Sequence, residues 1–423
     1  MNSRECAVKA LYEVEQNGAY SDKALKAILK SSNLSALDRA FATELVYGVI
    51  KNKTRIDYII KAYSKERLKK LSVWILNILR ISVYQIIFLD KIPQSAAVNE
   101  GVNLAKRYGH SASANFVNGV LRSVCKGGDV SYPNGKENLS IYFSHPQWLV
   151  DMLTEQYGED CAKRILKFNN LSPATTIRVN TLLTSKEALM HTLQEKGINV
   201  SETDCENILE ISKYGDISAL DEYKFGLFTP QDKGAYLCAK EINSQKGDFI
   251  IDLCAAPGGK TTQIAEMCGD TSNITAFDVF PHKLDLINKN AKRLGIKNIT
   301  TKLNDASILQ NEYIKKADKV LADVPCSGLG IIRKKPDIKW NKTPEDIKEI
   351  INLQRKILQT GSEYVKKGGI LVYSTCTLNK MENSGVTHEF AKNNNFNILK
   401  ETTLLPHENN CDGFYICTME KAL

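Results

Sequence analysis

The sequence predicts an α/β protein: a doubly wound, mostly parallel sheet in the C-terminal half, preceded by an all-α segment and a small α+β unit. Three observations carry this expectation. From about Asp232 onward, the short apolar runs FIIDL (249–253), ITAFD (274–278), ITTKL (299–303), DKVLAD (318–323) and GILVYS (369–374) alternate with helical stretches. Such alternation gives parallel strands joined by crossover helices, with ligands at the carboxyl ends of the strands. From Arg4 to about Cys125, apolar residues recur at helical spacing and nothing alternates with the period of a strand. Between about Ser144 and Gln231, strand-like TTIRVN (175–180) and helical SKEALMHTLQEKG (185–197) are mixed. Three domains are expected, over residues 1–130, 141–231 and 232–423.

In the first segment, Ser35-Ala-Leu-Asp38 resembles a capping box opening a helix through AFATELVYGVI. The run from Leu71 to Leu89 is long enough to span a membrane, but Arg80 stands at its centre with Asn77 and Gln85 nearby. A central Arg costs about 2.5–3.5 kcal/mol in a bilayer, so a buried helix of a bundle is expected. Pro93 stops it, SAAVNEGVNLAKRYG starts another, and GGDVSYPNGKENLS (127–140) reads as a linker. An apolar fraction of 43% with 25% charged residues is that of a globular protein. The eleven cysteines include no C-x-x-C pair, which argues against structural zinc, and their odd number without a signal segment argues against a disulfide framework. A cytoplasmic protein with reduced thiols and no metal is expected. Charge is uneven: residues 1–140 hold 21 Lys and Arg against 12 Asp and Glu, whereas the remainder holds 35 against 36. Positive charge confined to one segment points to a nucleic-acid-binding module, with a merely solvated basic face as the alternative.

After FIIDL come Cys254, Ala255, Ala256, Pro257, Gly258, Gly259 and Lys260, then a helix beginning TTQIAE. A strand, a Gly-rich turn and a helix N-terminus together receive anions and nucleotides. A phosphate-binding loop of the G-x-x-x-x-G-K-[ST] type would need Gly where Cys254 stands, and the dinucleotide fingerprint G-x-G-x-x-G is absent. S-adenosylmethionine remains. Its ribose needs an acidic residue after the next strand, where Asp278 lies, 20 residues beyond Gly258, and Asp305 follows the third strand, where adenine would lie.

Two cysteines occupy loops at the same sheet edge: Asp323-Val-Pro-Cys326-Ser-Gly after the fourth strand and Ser374-Thr-Cys376-Thr after the fifth. Enzymes methylating amines of bases typically carry Pro-Pro-Tyr or similar in the first of these loops. A thiol there suits carbon 5 of a pyrimidine, which becomes nucleophilic only after a thiolate has attacked carbon 6. Charge developing through the ring needs a partner at N3, a role for Asp323. Either cysteine alone fits a small buried hydrophobe; two in Gly/Ser/Thr-rich loops after strands fit it poorly. Chemistry alone does not say which thiol attacks, because DNA cytosine methyltransferases place theirs in a Pro-Cys loop.

The pieces DLCAAPGGKTTQIAE, DVPCSGLG, YSTCT and DGFYICTMEK resemble the RsmB (Sun/Fmu) family of 16S ribosomal RNA 5-methylcytosine methyltransferases. DRAFATELVYGVI, YQIIFLDKIP and NFVNGVLR resemble the NusB-type helical RNA-binding domain fused to these enzymes, and SHPQWLVDMLTEQYG, IRVN and FTPQD extend the likeness through the middle. The resemblance implies a Rossmann-like class I methyltransferase domain behind a NusB-like domain and a small α+β RNA-binding or linking domain. It implies that Cys254 to Lys260, Asp278, Lys283, Asp305 and Asp323 bind S-adenosylmethionine, that Cys376 is the nucleophile, and that Cys326 assists departure of the enzyme from the methylated base. The implied partner is 16S ribosomal RNA before full subunit assembly, with a monomeric enzyme and neither DNA nor membrane involved. One departure is local: FTPQD is followed by KGAYL, where the family often has a short acidic or Ser segment. Arg178 in IRVN could touch RNA or brace the middle domain. The alternatives are an RNA N-methyltransferase and a non-catalytic RNA-binding or antitermination protein.

Overall fold

A computed structural model describes all residues, Met1 to Leu423. Contacts divide the chain into two compact units, one of Met1–Asn170 with Lys335–Asn341, the other of Leu171–Lys334 with Lys342–Leu423.

The first unit is entirely helical. Its core gathers Leu45, Val49, Ile59, Ile78, Ile81, Val117 and Leu121 from successive helices. The Leu71–Leu89 run forms the buried helix Val73–Phe88, and no helix is long and apolar enough to cross a membrane. Arg80, 4% exposed, donates to both carboxyl oxygens of Asp57 at 2.7 and 2.8 Å and to Glu15 at 2.5 Å. A buried guanidinium is tolerated only because it is paired in this way. Ser35 caps helix Ala36–Lys51 by accepting from the Asp38 N–H at 3.1 Å, and Pro93 stands as the N-cap of Gln94–Tyr108. The expected linker is shorter than 127–140: Gly128, at φ +70°, ends one helix, and a new one, Lys136–Tyr142, begins after Gly135. Lys335–Asn341 closes the far end of helix 36–51. Lys339 Nζ donates to the Lys51 carbonyl at 2.7 Å and Trp340 Nε1 to the Ile50 carbonyl at 2.9 Å, which satisfies carbonyls that a helix C-terminus leaves open.

The second unit holds two sheets. In chain order the strands are β1 (Thr175–Val179), β2 (Asn199–Glu202), β3 (Ile208–Ser212), β4 (Phe228–Pro230), β5 (Phe249–Asp252), β6 (Asn273–Asp278), β7 (Ile299–Leu303), β8 (Ala317–Asp323), β9 (Val365–Thr375), β10 (Phe396–Leu404) and β11 (Phe414–Lys421). The small sheet has the order β2-β3-β1-β4, with antiparallel neighbours. The large sheet has the order β10-β11-β9-β8-β5-β6-β7, parallel from β9 to β7 and closed by antiparallel β11 and β10. Strand order reverses at β5 and β8, so a crevice opens outside their carboxyl ends, where open α/β sheets bind ligands. The central strands are buried on both faces, which explains their unbroken Val, Ile and Leu content.

Candidate active site

The glycine loop lies in that crevice. Gly258, at φ +99°, turns the chain into helix Gly259–Met267; a side chain on it would need the left-handed backbone and would crowd Ile287. The helix N-terminus therefore opens directly after β5, its first N–H groups unclaimed by the helix itself. Thr261 Oγ1 donates to Asp252 Oδ2 at 2.7 Å. Burial pushes the Asp252 carboxyl up to about 7, with Thr261 opposing and Asp323 adding to the rise. Lys260 Nζ lies 2.6 Å from Asp323 Oδ2, and Ser374 Oγ donates to Asp323 Oδ1 at 2.7 Å. The ends of β5, β8 and β9 are thereby tied by one carboxylate. Burial works against the Lys260 charge, but Asp323 outweighs it and holds the ammonium protonated.

Asp278 ends β6, buried, its Oδ1 accepting from the Phe280 N–H at 3.1 Å, with Lys283 Nζ 3.8 Å away. Asp305 is exposed beyond β7 and accepts from Ser307 N at 2.9 Å and Ser307 Oγ at 2.7 Å. Beside it the buried Asn304 Nδ2 has no partner. Burial and the Asp252, Asp323 and Asp278 carboxyls push the Cys254 thiol well up, so this sulfur is a poor nucleophile.

The two remaining loop cysteines meet. Cys326 Sγ and Cys376 Sγ are 3.1 Å apart, both free thiols and both partly exposed. The Cys326 thiol is held far above the ordinary value by its hydrogen bond to Cys376, by burial, and by the Cys376 and Glu382 charges. Backbone hydrogen bonds fix the Cys376 loop from the other side: the Gly330 N–H donates to the Cys376 carbonyl at 3.0 Å, and Gly413 N–H to the Gly330 carbonyl at 2.8 Å. A Cβ at Gly330 would stand 2.0 Å from the Gly413 oxygen, so the three segments close only without one.

The sequence leaves Lys334 and Glu382 unmarked and offers Arg178 without its partner. Arg178, 1% exposed, leaves β1 and forks onto Glu266 at 2.9 and 2.7 Å, while also donating to the Gly259 carbonyl at 2.8 Å, to Thr262 Oγ1 at 3.1 Å and to Gln231 Oε1. It is a brace between the small sheet and the glycine-loop helix, not a free cation facing solvent. Lys334 Nζ sits between Asp232 Oδ2 at 2.6 Å and Asp412 Oδ2 at 2.8 Å, which explains the Asp of FTPQD and the Asp of DGFY as one cluster. Glu382, wholly buried, touches both cysteine loops. The missing signal is the partner across the fold: Glu266 lies 88 residues from Arg178, Asp232 102 from Lys334, and Ser327 55 from Glu382.

The residues fit S-adenosylmethionine. A diol finds its acceptor in the buried Asp278 carboxyl, a carboxylate finds the open helix N-terminus at Gly259, and an aromatic amine edge finds the region of Asp305 and the unpartnered Asn304 Nδ2. A seven-stranded sheet with its last strand antiparallel, this loop and these carboxyls define a Rossmann-like, S-adenosylmethionine-dependent methyltransferase behind an all-helical domain. A family model described as 16S rRNA methyltransferase RsmB/F matches residues 239–420, the NusB family matches 1–126, and an RsmF/B-like ferredoxin-like domain matches 145–218. The chain is 36% identical over 99% of its length to the probable ribosomal RNA small subunit methyltransferase B of Bacillus subtilis, covering 98% of that protein. It is 33% identical, with both chains fully covered, to the corresponding probable enzyme of Synechocystis. The crystal structure of PH0851 superposes with a TM-score of 0.83 at 26% identity, covering 98% of each chain. The chain belongs to the RsmB/F family of 16S rRNA methyltransferases.

Proposed function

We propose that this enzyme methylates carbon 5 of a cytosine in 16S ribosomal RNA through a covalent adduct between Cys376 and carbon 6. The observation that carries this reading is the pair of partly exposed thiols 3.1 Å apart at the carboxyl edge of the sheet; methylation of an exocyclic amine needs neither.

The Cys376 thiolate adds to carbon 6, and the electrons released from the 5,6 double bond make carbon 5 nucleophilic. Negative charge developing at N3 requires a proton or hydrogen-bond donor there, and in this reading Asp323, fixed by Lys260 and Ser374, delivers it in protonated form. S-adenosylmethionine, when bound, supplies an electrophilic methyl group on its sulfonium. Cys254 to Lys260, Asp278, Lys283, Asp305 and Asp323 hold it. The cycle closes when the proton on carbon 5 is removed, the double bond re-forms and the Cys376 sulfur leaves as thiolate. Cys326, 3.1 Å from Cys376, assists this release; in the adduct the Cys376 hydrogen bond and charge no longer raise its pKa, while burial still does.

Residues 1–130, 141–231 and 232–423 serve as RNA-binding, linking and catalytic segments in this reading. Support for the first is the positive charge concentrated in residues 1–140. The test is adduct trapping on denaturing gels. Cys376→Ala loses turnover and adduct alike, whereas Cys326→Ala accumulates adduct because attack proceeds and release fails. Interchanged phenotypes would make Cys326 the nucleophile, and full activity of both variants would end the covalent reading.

A further inference from the structure

Glu382 has no solvent-exposed surface and is the most heavily bonded side chain near the thiols. Its Oε2 accepts from the Ser327 N–H at 2.8 Å and from Gln354 Nε2 at 3.1 Å. Its Oε1 accepts from Ser327 Oγ at 2.6 Å, Asn379 Nδ2 at 3.2 Å and Thr377 Oγ1 at 3.4 Å. Ser327 follows Cys326 and Thr377 follows Cys376, and their two hydroxyls are themselves 2.7 Å apart. One carboxyl group therefore receives hydrogen bonds from the residue next to each cysteine. The adjoining residue extends the arrangement: Asn383 accepts from Thr375 Oγ1 at 2.5 Å and donates to the Thr377 carbonyl at 3.0 Å. Glu382 is in turn held by Tyr373, whose hydroxyl donates to the Glu382 carbonyl at 2.7 Å.

Both cysteine loops follow parallel neighbouring strands, β8 and β9, paired through Asp323 and Ser374. Beyond that pair no ladder continues, so strand pairing does not set the distance between Cys326 and Cys376. The Glu382 bonds do so, together with the Gly330 N–H to Cys376 carbonyl bond and the contact between the Ser327 and Thr377 hydroxyls. An unpartnered carboxyl is costly in so buried a position, and this one is saturated by donors from both loops, so the loops cannot separate without leaving it unsatisfied.

We propose that Glu382 is a positioning residue that locks the Cys326 and Cys376 loops together, holding the two thiols in the register that release of the methylated base requires. The proposal rests on the two-cysteine reading above. Glu382 does not touch the base; it acts through Ser327 and Thr377. A catalytic group displaced by about 1 Å costs on the order of 100-fold in rate, and release, which uses both sulfurs, suffers more than attack, which uses one.

The test is Glu382→Gln in the full chain, with wild type, Cys326→Ala and Cys376→Ala run beside it. Gln keeps the volume but presents an NH2 group to a donor on one side. We expect adduct to accumulate at steady state toward the Cys326→Ala level, with kcat falling about 10- to 100-fold and the KM for S-adenosylmethionine unchanged. Ser327→Ala, which removes the hydroxyl bonds and keeps the main-chain one, serves if Glu382→Gln does not fold, and shows a smaller rise in adduct. A folded variant whose kcat falls with no rise in adduct fraction overturns the positioning role and leaves Glu382 a structural residue. Wild-type kinetics overturn it equally. If Cys326→Ala itself traps no adduct, the two-cysteine reading falls instead.

Discussion

Replacing Arg178 with Ala removes both hydrogen bonds that Arg178 gives to a buried carboxyl group in a single step. Glu266 is 6% exposed, and both its oxygens receive the Arg178 fork. Burial already pushes its pKa up, and Arg178 is the main force opposing that shift. Loss of one member of such a pair costs about 3–5 kcal/mol, because the survivor stays buried without compensation. The Gly259 carbonyl and Gln231 Oε1 lose a donor as well, so the cost lies toward the upper end. Urea unfolding of the full chain measures it with a built-in reference. Trp74, Trp148 and Trp340 all belong to the first unit, so tryptophan fluorescence follows that unit while far-UV circular dichroism follows both. The dichroism transition should move to lower urea more than the fluorescence transition. A double variant, Arg178→Met with Glu266→Met, should be less destabilised than Arg178→Ala, since no unpaired charge remains. Destabilisation by Arg178→Ala of under about 1 kcal/mol, the range of exposed ion pairs, would refute the brace.

Three further outcomes follow from the same structure. Asp278→Ala should weaken S-adenosylmethionine binding by about 1.5–3 kcal/mol, the cost of a charge-assisted hydrogen bond, with RNA affinity unchanged; calorimetry with an unchanged cofactor Kd would remove Asp278 from the site. Asp252 titrates at about 7 in the folded chain against an ordinary 3.8, so it binds its proton more tightly when folded. Its contribution to stability is full below about pH 4 and is lost as pH rises to about 7; Asp252→Asn should flatten the pH dependence of the unfolding midpoint across that window. Lys65, Arg67, Lys69 and Lys70 are exposed between helices Lys53–Tyr63 and Val73–Phe88, and replacing them with Gln should reduce the salt slope of RNA binding by about 0.7 for every phosphate no longer neutralised. Substitution is the right perturbation, because deleting residues 1–130 would strip partners from the following helices, including Thr54 N–H from Ser144 Oγ at 2.8 Å.

The parallel core was legible because its strands are buried on both faces and end in polar residues at the sheet edge: Asp252, Asp278, Asp323, Ser374. Strand β10 was not, since its residues are mostly exposed along an edge and show neither a solid apolar run nor clean alternation. Nothing in KKPDIKWN marks Lys335–Asn341 for the first unit. A run so charged reads as surface, yet Lys339 is wholly buried, its pKa driven well down by burial and by Lys51, because its Nζ caps a helix 288 residues earlier in the chain. The cysteine loops could be read as a pair at one edge, but their 3.1 Å approach and the Glu382 bonds beneath it depend on side chains converging from separate loops. The Arg178 choice between RNA and brace turned on a partner, Glu266, that sits in the last turn of an otherwise ordinary helix.

The central claim is the product. Purified protein, unmodified 16S ribosomal RNA and methyl-labelled S-adenosylmethionine, followed by complete digestion and nucleoside mass spectrometry, test it directly. The account predicts labelled 5-methylcytidine as the product, abolished by Cys376→Ala; label in an N-methylated nucleoside, or 5-methylcytidine undiminished in that variant, would contradict it.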